Sequence, residues 1–199
     1  MAIKPILFNT EMVRAILEGR KSCTRRLVKF LSGENPRWTG YIKDELMLYN
    51  GKNEPCIRKV PYQPGDILYV RETFIQAAAH IFWYKADDNS WISEGLHWKP
   101  SIHMPKEAAR IWLKVTDVRV ERLQDITVDG CHREGRNIET SAVTDGETLN
   151  RKHDFSLEKF ETLWDSTIKK SDIGSYGWNA NPWVWVIEFE QCEKPKEEN

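Results

Sequence analysis

The stretch Pro64–Phe74, which reads PGDILYVRETF, decides the centre of the predicted fold. Its first three residues are a turn signal, because proline presets φ and glycine tolerates positive φ. The following residues, Ile67–Phe74, are rich in β-branched and aromatic side chains and predict one strand. In that strand Glu72 shares a face with the apolar Leu68 and Val70. A buried carboxylate is costly unless it is paired or protonated, so Glu72 is either half of a structural ion pair or a proton donor.

The chain before this strand predicts a strand followed by a helix. Residues 3–8 read as a short strand, and Asn9 or Thr10 is a helix N-cap. Gly19 stands where a left-handed helix C-cap is expected. The helix between them carries one apolar stripe, formed by Met12, Val13, Ile16 and Leu17. The basic segment Lys21–Arg26 therefore leaves directly from a helix end.

Lys21 and Thr24 are the chemically suggestive members of this segment. Their spacing of three places them on one face if the chain turns after Gly19, and on opposite faces in a regular strand. A threonine hydroxyl needs a neighbouring base to act as a nucleophile, and positive charge from Arg20, Arg25 and Arg26 favours the neutral lysine that could serve as one. The alternative is a phosphate-contact loop in which Thr24 only caps. The residues alone leave both interpretations open.

The rest of the chain predicts further strands separated by polar segments. A strand is expected at about 111–121, a short helix after Asp125, and a buried strand at Trp183–Ile187. Polar residues 136–154 are expected to be a mobile loop, and Ser156 is expected to cap another helix. These elements predict an α+β, mostly β fold, a small barrel with flanking helices and long inserted loops.

One domain, residues 1–192, is expected to hold these elements and to end in a charged tail, residues 193–199. The long insertions are placed at about 31–63, 77–105 and 122–175.

Composition excludes several classes of protein. The 199 residues carry a net charge of −1, include nine Trp, and contain no apolar run long enough to span a membrane. The four Cys are scattered and the five His lack metal-ligand spacing, so neither a metal nor a cofactor is expected. The cysteine pattern and the absence of a signal peptide predict a cytoplasmic protein.

Residues 1–30 hold seven basic and two acidic side chains, a net charge of +5, which suits either a limited contact with a polyanion or a solvated face. The oligomeric state is left open.

Two weaker groups of residues could contact a ligand. Tyr176, Trp178 and Asn179 combine aromatic faces with an amide, the equipment that stacks on a nucleobase and bonds its edge, although packing explains such a motif as well. His103 lies between two prolines and could line a pocket or be structural.

The basic segment resembles the signature of the ASCH-domain proteins, relatives of the PUA RNA-binding domain. The signature G-x-K-x-x-T-x-R matches Gly19, Lys21, Thr24 and Arg26, and the turn and strand at 64–74 match as well. The segments Lys99–Pro105 and Tyr176–Pro182 are similar to the long members associated with bacteriophages and prophages.

This resemblance implies a PUA-like β-barrel and a set of roles. Small bacterial members are amidohydrolases that remove the acetyl group from acetylcytidine, with Lys as proton acceptor, Thr as nucleophile and Glu as proton donor. Carried over by motif, those roles fall on Lys21, Thr24 and Glu72. Other members are regarded as RNA binders and some as ribonucleases.

The resulting prediction is an amidohydrolase acting on an N-acylated nucleoside or base such as acetylcytidine. The alternative is a non-catalytic RNA-binding module that uses the same cleft, and a ribonuclease is a third. The expected partner is a nucleoside or RNA. The candidate substrate-binding residues are Arg25, Arg26, Arg71, His103, Tyr176, Trp178 and Asn179.

Overall fold

A computed structural model describes residues 1–30, 38–42, 45–50, 52, 54–55, 60–87, 96–135 and 146–196. The described strands are β1 (Ile3–Leu7), β2 (Cys23–Leu27), β3 (Trp38–Ile42), β4 (Glu45–Tyr49), β5 (Ile67–Arg71), β6 (Phe74–Ala78), β7 (Ile81–Tyr84), β8 (Trp112–Arg122) and β9 (Trp183–Cys192). The described α-helices are α1 (Thr10–Leu17), α2 (Val128–Arg133), α3 (Gly146–Thr167) and α4 (Ile173–Tyr176). The predicted class, α+β and mostly β, is confirmed.

Five strands form the main sheet in the order β1-β5-β8-β9-β2. β1 is parallel to β5, the other neighbours are antiparallel, and β3–β4 and β6–β7 form separate hairpins. The register of β8 against β9 shifts between Val115 and Asp117, and such a bulge bends a strand. The two edge strands meet through a side chain, because the Arg26 guanidinium donates to the Leu7 carbonyl at 2.8 Å. Among the described residues the predicted barrel is thus a curled sheet without a β1–β2 ladder.

Helices cover both faces of this sheet. The amphipathic α1 packs through Val13 and Ile16 on a core that includes Leu68, Leu113 and Ile187. On the opposite face, α2 and α3 pack through an apolar cluster, which comprises Leu123, Ile126, Cys131, Phe160, Trp164, Val184 and Val186. The edge strand β2 therefore lies between α1 on one face and the α2–α3 pair on the other.

The N-terminal unit and the central turn agree with the sequence-based expectations. Asn9 caps α1, its side-chain oxygen accepting the Met12 amide at 2.9 Å, and Gly19 has a φ of 73°. Gly65 in the predicted turn has a φ of 86°. Asp66 then anchors the turn, since its carboxylate accepts hydrogen bonds from the Ala2 amide, the Gln63 amide and the Lys4 ammonium.

The predicted continuous strand Ile67–Phe74 is wrong, because the chain breaks at Glu72. β5 ends at Arg71 and β6 begins at Phe74, where the chain leaves the main sheet to pair with β7. The Glu72 amide donates to the Met104 sulfur at 3.1 Å instead of to a strand neighbour. The predicted burial of its side chain holds nevertheless, at 1% exposure.

The third helix also differs from the expectation. α3 begins at Gly146, so the loop predicted at 136–154 is wrong for residues 146–154, and Ser156 lies inside the helix instead of capping it. Residues 136–145 lie outside the described part of the chain. The helix start was missed because Leu149 is the only apolar residue between Gly146 and Asp154, which leaves no apolar stripe to detect. No helix among the described residues is long and apolar enough to cross a membrane.

Candidate functional site

Lys21 precedes β2, and its ammonium group is completely buried. Its Nζ donates to the Cys23 carbonyl at 2.7 Å, to the Glu134 carbonyl at 3.0 Å and to the Glu134 carboxylate at 2.6 Å. All three of these acceptors are groups of Cys23 and Glu134, and none of the hydrogen bonds reaches Thr24. The backbone at Lys21 forms a β-bridge with Glu134 and continues into a strand. The turn on which the Lys21–Thr24 pairing depends is therefore not formed.

A glycine brings Glu134 to this position. Gly135 follows the end of α2 with a φ of 90°, as glycine commonly does after a helix. A Cβ atom at this position would lie 2.6 Å from the Ala15 Cβ and 3.0 Å from the Lys21 Cβ. The absence of a side chain thus lets the chain after α2 approach α1 and place the Glu134 carboxylate against Lys21.

Arg25 is the second buried cation on Glu134. It donates to the Glu134 carboxylate at 3.3 Å and to the Glu121 carboxylate at 2.6 Å. Burial alone would lower the pKa of Arg25, but the two carboxylates outweigh it and raise the pKa. The nearby Cys23 thiol is a poor nucleophile, because burial first and Glu134 second raise its pKa to about 11. Lys21, Arg25, Glu121 and Glu134 thus form one connected network of ion pairs.

Thr24 lines a small cavity at the free edge of β2. The cavity measures about 70 Å³, which has room for a few water molecules or a small acyl group but not for a whole nucleoside. Helices α1 and α3 close it from two sides. Its lining comprises Met12, Thr24, Arg25, Arg26, Glu134, Phe160, Leu163, Trp164 and Thr167. We call this space the Thr24 cavity.

Arg26 is the cation of this region that lacks a carboxylate partner. Its guanidinium contacts the Leu7 carbonyl and lies 5.4 Å from the centre of the Phe8 ring. Burial lowers the pKa of Arg26, opposed by the negative charge of Glu134. Glu134 pairs with Lys21 and Arg25, and Glu121 pairs with Arg25 and Arg119. Arg26 has no such pair among the described residues.

Arg71 approaches the same end of β1 from the other side. It pairs with Leu7 in the β1–β5 register, and its carbonyl accepts the Phe8 amide at 3.2 Å. Its guanidinium donates to the Ile102 carbonyl, while its Nε is buried without a partner. Among the arginine side chains that the structure describes, Arg26, Arg71 and Arg122 have no carboxylate partner. The others form ion pairs: Arg14, Arg20, Arg25, Arg110, Arg119 and Arg133.

Glu72 is held elsewhere, by a fork of hydrogen bonds from Arg110. The distances from the guanidinium to the two Glu72 carboxylate oxygens are 2.9 Å and 3.1 Å, and Arg110 also lies 4.0 Å above the Tyr84 ring. Burial raises the pKa of Glu72, and Arg110 opposes that rise. Glu72 does not line the Thr24 cavity. The structure therefore places Thr24 beside Glu134 and separates it from the Glu72–Arg110 pair, and the catalytic roles of Lys21, Thr24 and Glu72 stay predictions.

The remaining predicted residues are dispersed. His103 is exposed in a short 3₁₀ turn beside Ile102, the residue whose carbonyl contacts Arg71. Trp178 packs edge-on against Phe160, 6.1 Å between ring centres, so it belongs to the core. Tyr176 is 41% exposed at the end of α4, and Asn179 is exposed. Tyr176 lines a second cavity, whose described lining does not include Thr24.

Sequence reasoning missed Glu134 and Glu121, the two carboxylates that neutralise the basic segment. Glu134 lies more than a hundred residues after Lys21, within a region interpreted as an insertion. The only local signal is the pair Glu134-Gly135 after a predicted short helix. This pair indicates where the helix ends but not which residues the Glu134 carboxylate contacts. No group of three or more potential metal ligands is brought together within the described residues.

Comparison with known proteins gives one structural similarity. No family model matches the chain, and no curated protein matches it. The fold search finds a crystal structure of an ASCH domain from Lactobacillus crispatus JV V101, with 12% sequence identity, 96% of this chain and 79% of that chain covered, and a TM-score of 0.40. The chain is thus similar to an ASCH domain, the family whose motifs it resembles.

Proposed function

We propose that this protein is a single-stranded RNA-binding module whose primary contact is the arginine pair, Arg26 and Arg71. The observation that supports the proposal is the set of hydrogen-bond partners of the two guanidinium groups. The Arg26 guanidinium donates to the Leu7 carbonyl, the Arg71 guanidinium donates to the Ile102 carbonyl, and neither has a carboxylate partner among the described residues. Guanidinium groups without carboxylates are suited to phosphate, which they contact through several N–H donors at once.

The surroundings of the arginine pair support an extended, unpaired strand as the ligand. Leu7 is 38% exposed and Ile102 is 61% exposed, so apolar surface lies beside the two cations. Single strands present bases as well as phosphates, and proteins bind them by combining positive charge with apolar contacts. The overall charge of −1 confines such a contact to a small area, in keeping with two phosphate-binding side chains.

Binding is favoured over catalysis by the contacts of the predicted catalytic residues. The Lys21 Nζ donates hydrogen bonds to the Cys23 and Glu134 carbonyls and to the Glu134 carboxylate, and none of these contacts involves Thr24. Glu72 is fixed by Arg110. A site with a nucleophile, a base and an acid requires those groups within hydrogen-bond reach of one reacting centre.

Replacing either arginine with glutamine is expected to weaken RNA binding. The change removes one positive charge, while the glutamine amide of Arg26→Gln can still donate to the Leu7 carbonyl. For a 12-nucleotide single-stranded RNA, each variant should lower the salt dependence of binding by about 0.7 in the slope of log K against log salt concentration. Fluorescence anisotropy across a salt series measures both affinity and slope.

Lys114→Gln is the matched control, because Lys114 is 52% exposed on β8 and lies 3.8 Å from Glu190. It removes the same charge away from the arginine pair and should leave the slope unchanged. An unchanged slope in both arginine variants, with their melting temperatures intact, contradicts the proposed function.

Acyl hydrolysis at Thr24 is the second candidate function, favoured by the size and lining of the Thr24 cavity. A space of about 70 Å³ beside a hydroxyl, a carboxylate and a guanidinium can receive an acetyl group. In this reaction the Thr24 oxygen would attack the acyl carbon, the bond from that carbon to the nucleobase nitrogen would break, and the hydroxyl proton of Thr24 would end on the departing amine. Water would then hydrolyse the acyl-Thr24 ester, which releases acetate and restores the hydroxyl.

If Thr24 is the nucleophile, the wild type converts acetylcytidine to cytidine and Thr24→Val does not. Chromatography of the two nucleosides follows the reaction directly. Valine keeps the shape of the buried threonine, and Thr167→Val, on the α3 side of the same cavity, removes a hydroxyl without removing the proposed nucleophile. Equal turnover by wild type and Thr24→Val, or no turnover by the wild type, excludes this function.

A further inference from the structure

A second cavity lies at the end of β2, where the strand runs on towards Phe30. It measures about 280 Å³ and is open to solvent. Aromatic rings from three parts of the chain line it, namely Phe30, Tyr176 and Trp183, together with Val28, Pro182 and Arg122. We call this cavity the aromatic groove.

The groove offers hydrogen-bond donors and positive charge. The Arg122 guanidinium lies 4.3 Å over the Trp183 ring and makes one described hydrogen bond, to the Asn181 carbonyl at 3.0 Å. Among the described residues that line the groove there is no carboxylate. Arg122 therefore favours a ligand with negative charge and acceptor atoms, and the rings favour flat apolar faces.

The walls of the groove are held in place before any ligand arrives. The Trp164 indole donates to the Tyr176 carbonyl at 2.9 Å, and the Trp178 amide donates to the Asp165 carboxylate at 2.7 Å. Gly177 allows this close packing, because a Cβ atom there would lie 2.5 Å from the Ile173 carbonyl oxygen. Tyr176 is consequently presented at 41% exposure on a fixed backbone, which reduces the entropy lost on binding.

The groove also lies close to Arg26 along the chain. Arg26 belongs to β2, and pairing with β9 continues as far as the Val28 amide, which donates to the Trp183 carbonyl at 3.0 Å. Val28 and Phe30 then line the groove. Four residues of extended chain span roughly 13 Å. A strand of nucleic acid bound at Arg26 can therefore reach the groove by following β2.

We propose that the aromatic groove binds one unpaired nucleobase of a single-stranded RNA, with a flanking phosphate on Arg122. The base stacks against Tyr176, and the Arg122 guanidinium donates to the flanking phosphate. This inference extends the proposed function, since the strand in the groove is the one held by the arginine pair. It assigns a second, separate contact on that strand.

The test uses single-stranded RNA of 12 nucleotides with 2-aminopurine at one position, because stacking quenches the fluorescence of this base. Wild-type protein should quench it on binding. Tyr176→Leu should abolish the quench and weaken binding about tenfold, within the range measured for the loss of one stacked base. Tyr176→Phe should retain the quench, because it keeps the ring. Arg122→Gln should lower the salt slope by about 0.7.

Ile81→Ala is the control, an exposed apolar residue on the β6–β7 hairpin. The nucleobase site is contradicted if RNA binding depends on Arg26 but Tyr176→Leu and Arg122→Gln change neither the fluorescence quench nor the affinity. That outcome is still consistent with the proposed RNA-binding function. If the wild type binds no RNA, the proposed function fails, and saturable binding of adenosine monophosphate then tests the groove alone. If adenosine monophosphate binds the wild type and Tyr176→Leu abolishes that binding, the groove is a nucleotide site. If adenosine monophosphate does not bind, the proposal for the groove is wrong.

Discussion

Replacing Glu134 with alanine is expected to lower the free energy of unfolding by about 3–5 kcal/mol. The Glu134 side chain is 5% exposed, and its two oxygens receive hydrogen bonds from Lys21 and Arg25, whose side chains are 0% and 3% exposed. Without the carboxylate, Lys21 is left as a buried cation with backbone acceptors only. Arg25 keeps Glu121, which limits the loss on that side.

Urea unfolding followed by circular dichroism measures the change. Glu11→Ala is the matched control, because Glu11 is 79% exposed and pairs with Arg14 on the surface, where such a pair contributes less than about 1 kcal/mol. The double variant Lys21→Met with Glu134→Leu removes both charges and should recover part of the stability lost by Glu134→Ala, since replacing a whole buried pair by apolar groups is often neutral. A loss for Glu134→Ala no larger than that for Glu11→Ala contradicts this account of the cluster.

The same cluster explains why the fold was more predictable than the site. The helix cap at Asn9 and the positive φ angles of Gly19 and Gly65 affect only neighbouring residues, so they can be predicted from the local sequence. The break at Glu72 depends on Met104 and Arg110, which lie more than thirty residues away. No local sequence pattern indicates these partners, so the sequence predicts that the strand continues to Phe74.

The position of Lys21 shows the same limit in chemical terms. Its neighbours in sequence are basic, which favours a lowered pKa and a role as a base. Its neighbours in space are hydrogen-bond acceptors, the Glu134 carboxylate and two carbonyl groups. The contact is formed because α2 ends at Glu134 and Gly135 packs on Ala15. The sign of the electrostatic environment is therefore a tertiary property, and reasoning from adjacent residues reversed it.

Replacing Arg110 with alanine is expected to lower the free energy of unfolding by about 3 kcal/mol near neutral pH. The Glu72 side chain is 1% exposed, and Arg110, which is 27% exposed, donates to both of its oxygens. Removing the guanidinium leaves a buried carboxylate without its cation. Arg14→Ala is the control, because Arg14 is 42% exposed and its surface pair with Glu11 contributes little.

The loss should shrink as the pH falls, and the direction follows from the pKa of Glu72. Burial already raises this pKa above the ordinary value, and Arg110 opposes the rise, so the pKa increases further in Arg110→Ala. A raised carboxyl pKa means that the ionised form costs stability above the folded-state pKa, and that this cost disappears as the pH falls through it. Unfolding measured from about pH 8 to about pH 5 should show Arg110→Ala gaining stability relative to the wild type.

Adding Glu72→Gln to Arg110→Ala separates this effect from a simple loss of packing. Glutamine cannot ionise, so the double variant should lose the acid-side recovery and be more stable than Arg110→Ala near pH 8. A loss that stays constant with pH contradicts the assignment of Glu72 as the buried charge. The same series bears on catalysis, because a proton donor must be protonated at the pH of the reaction, and Arg110 is the residue that favours the ionised carboxylate.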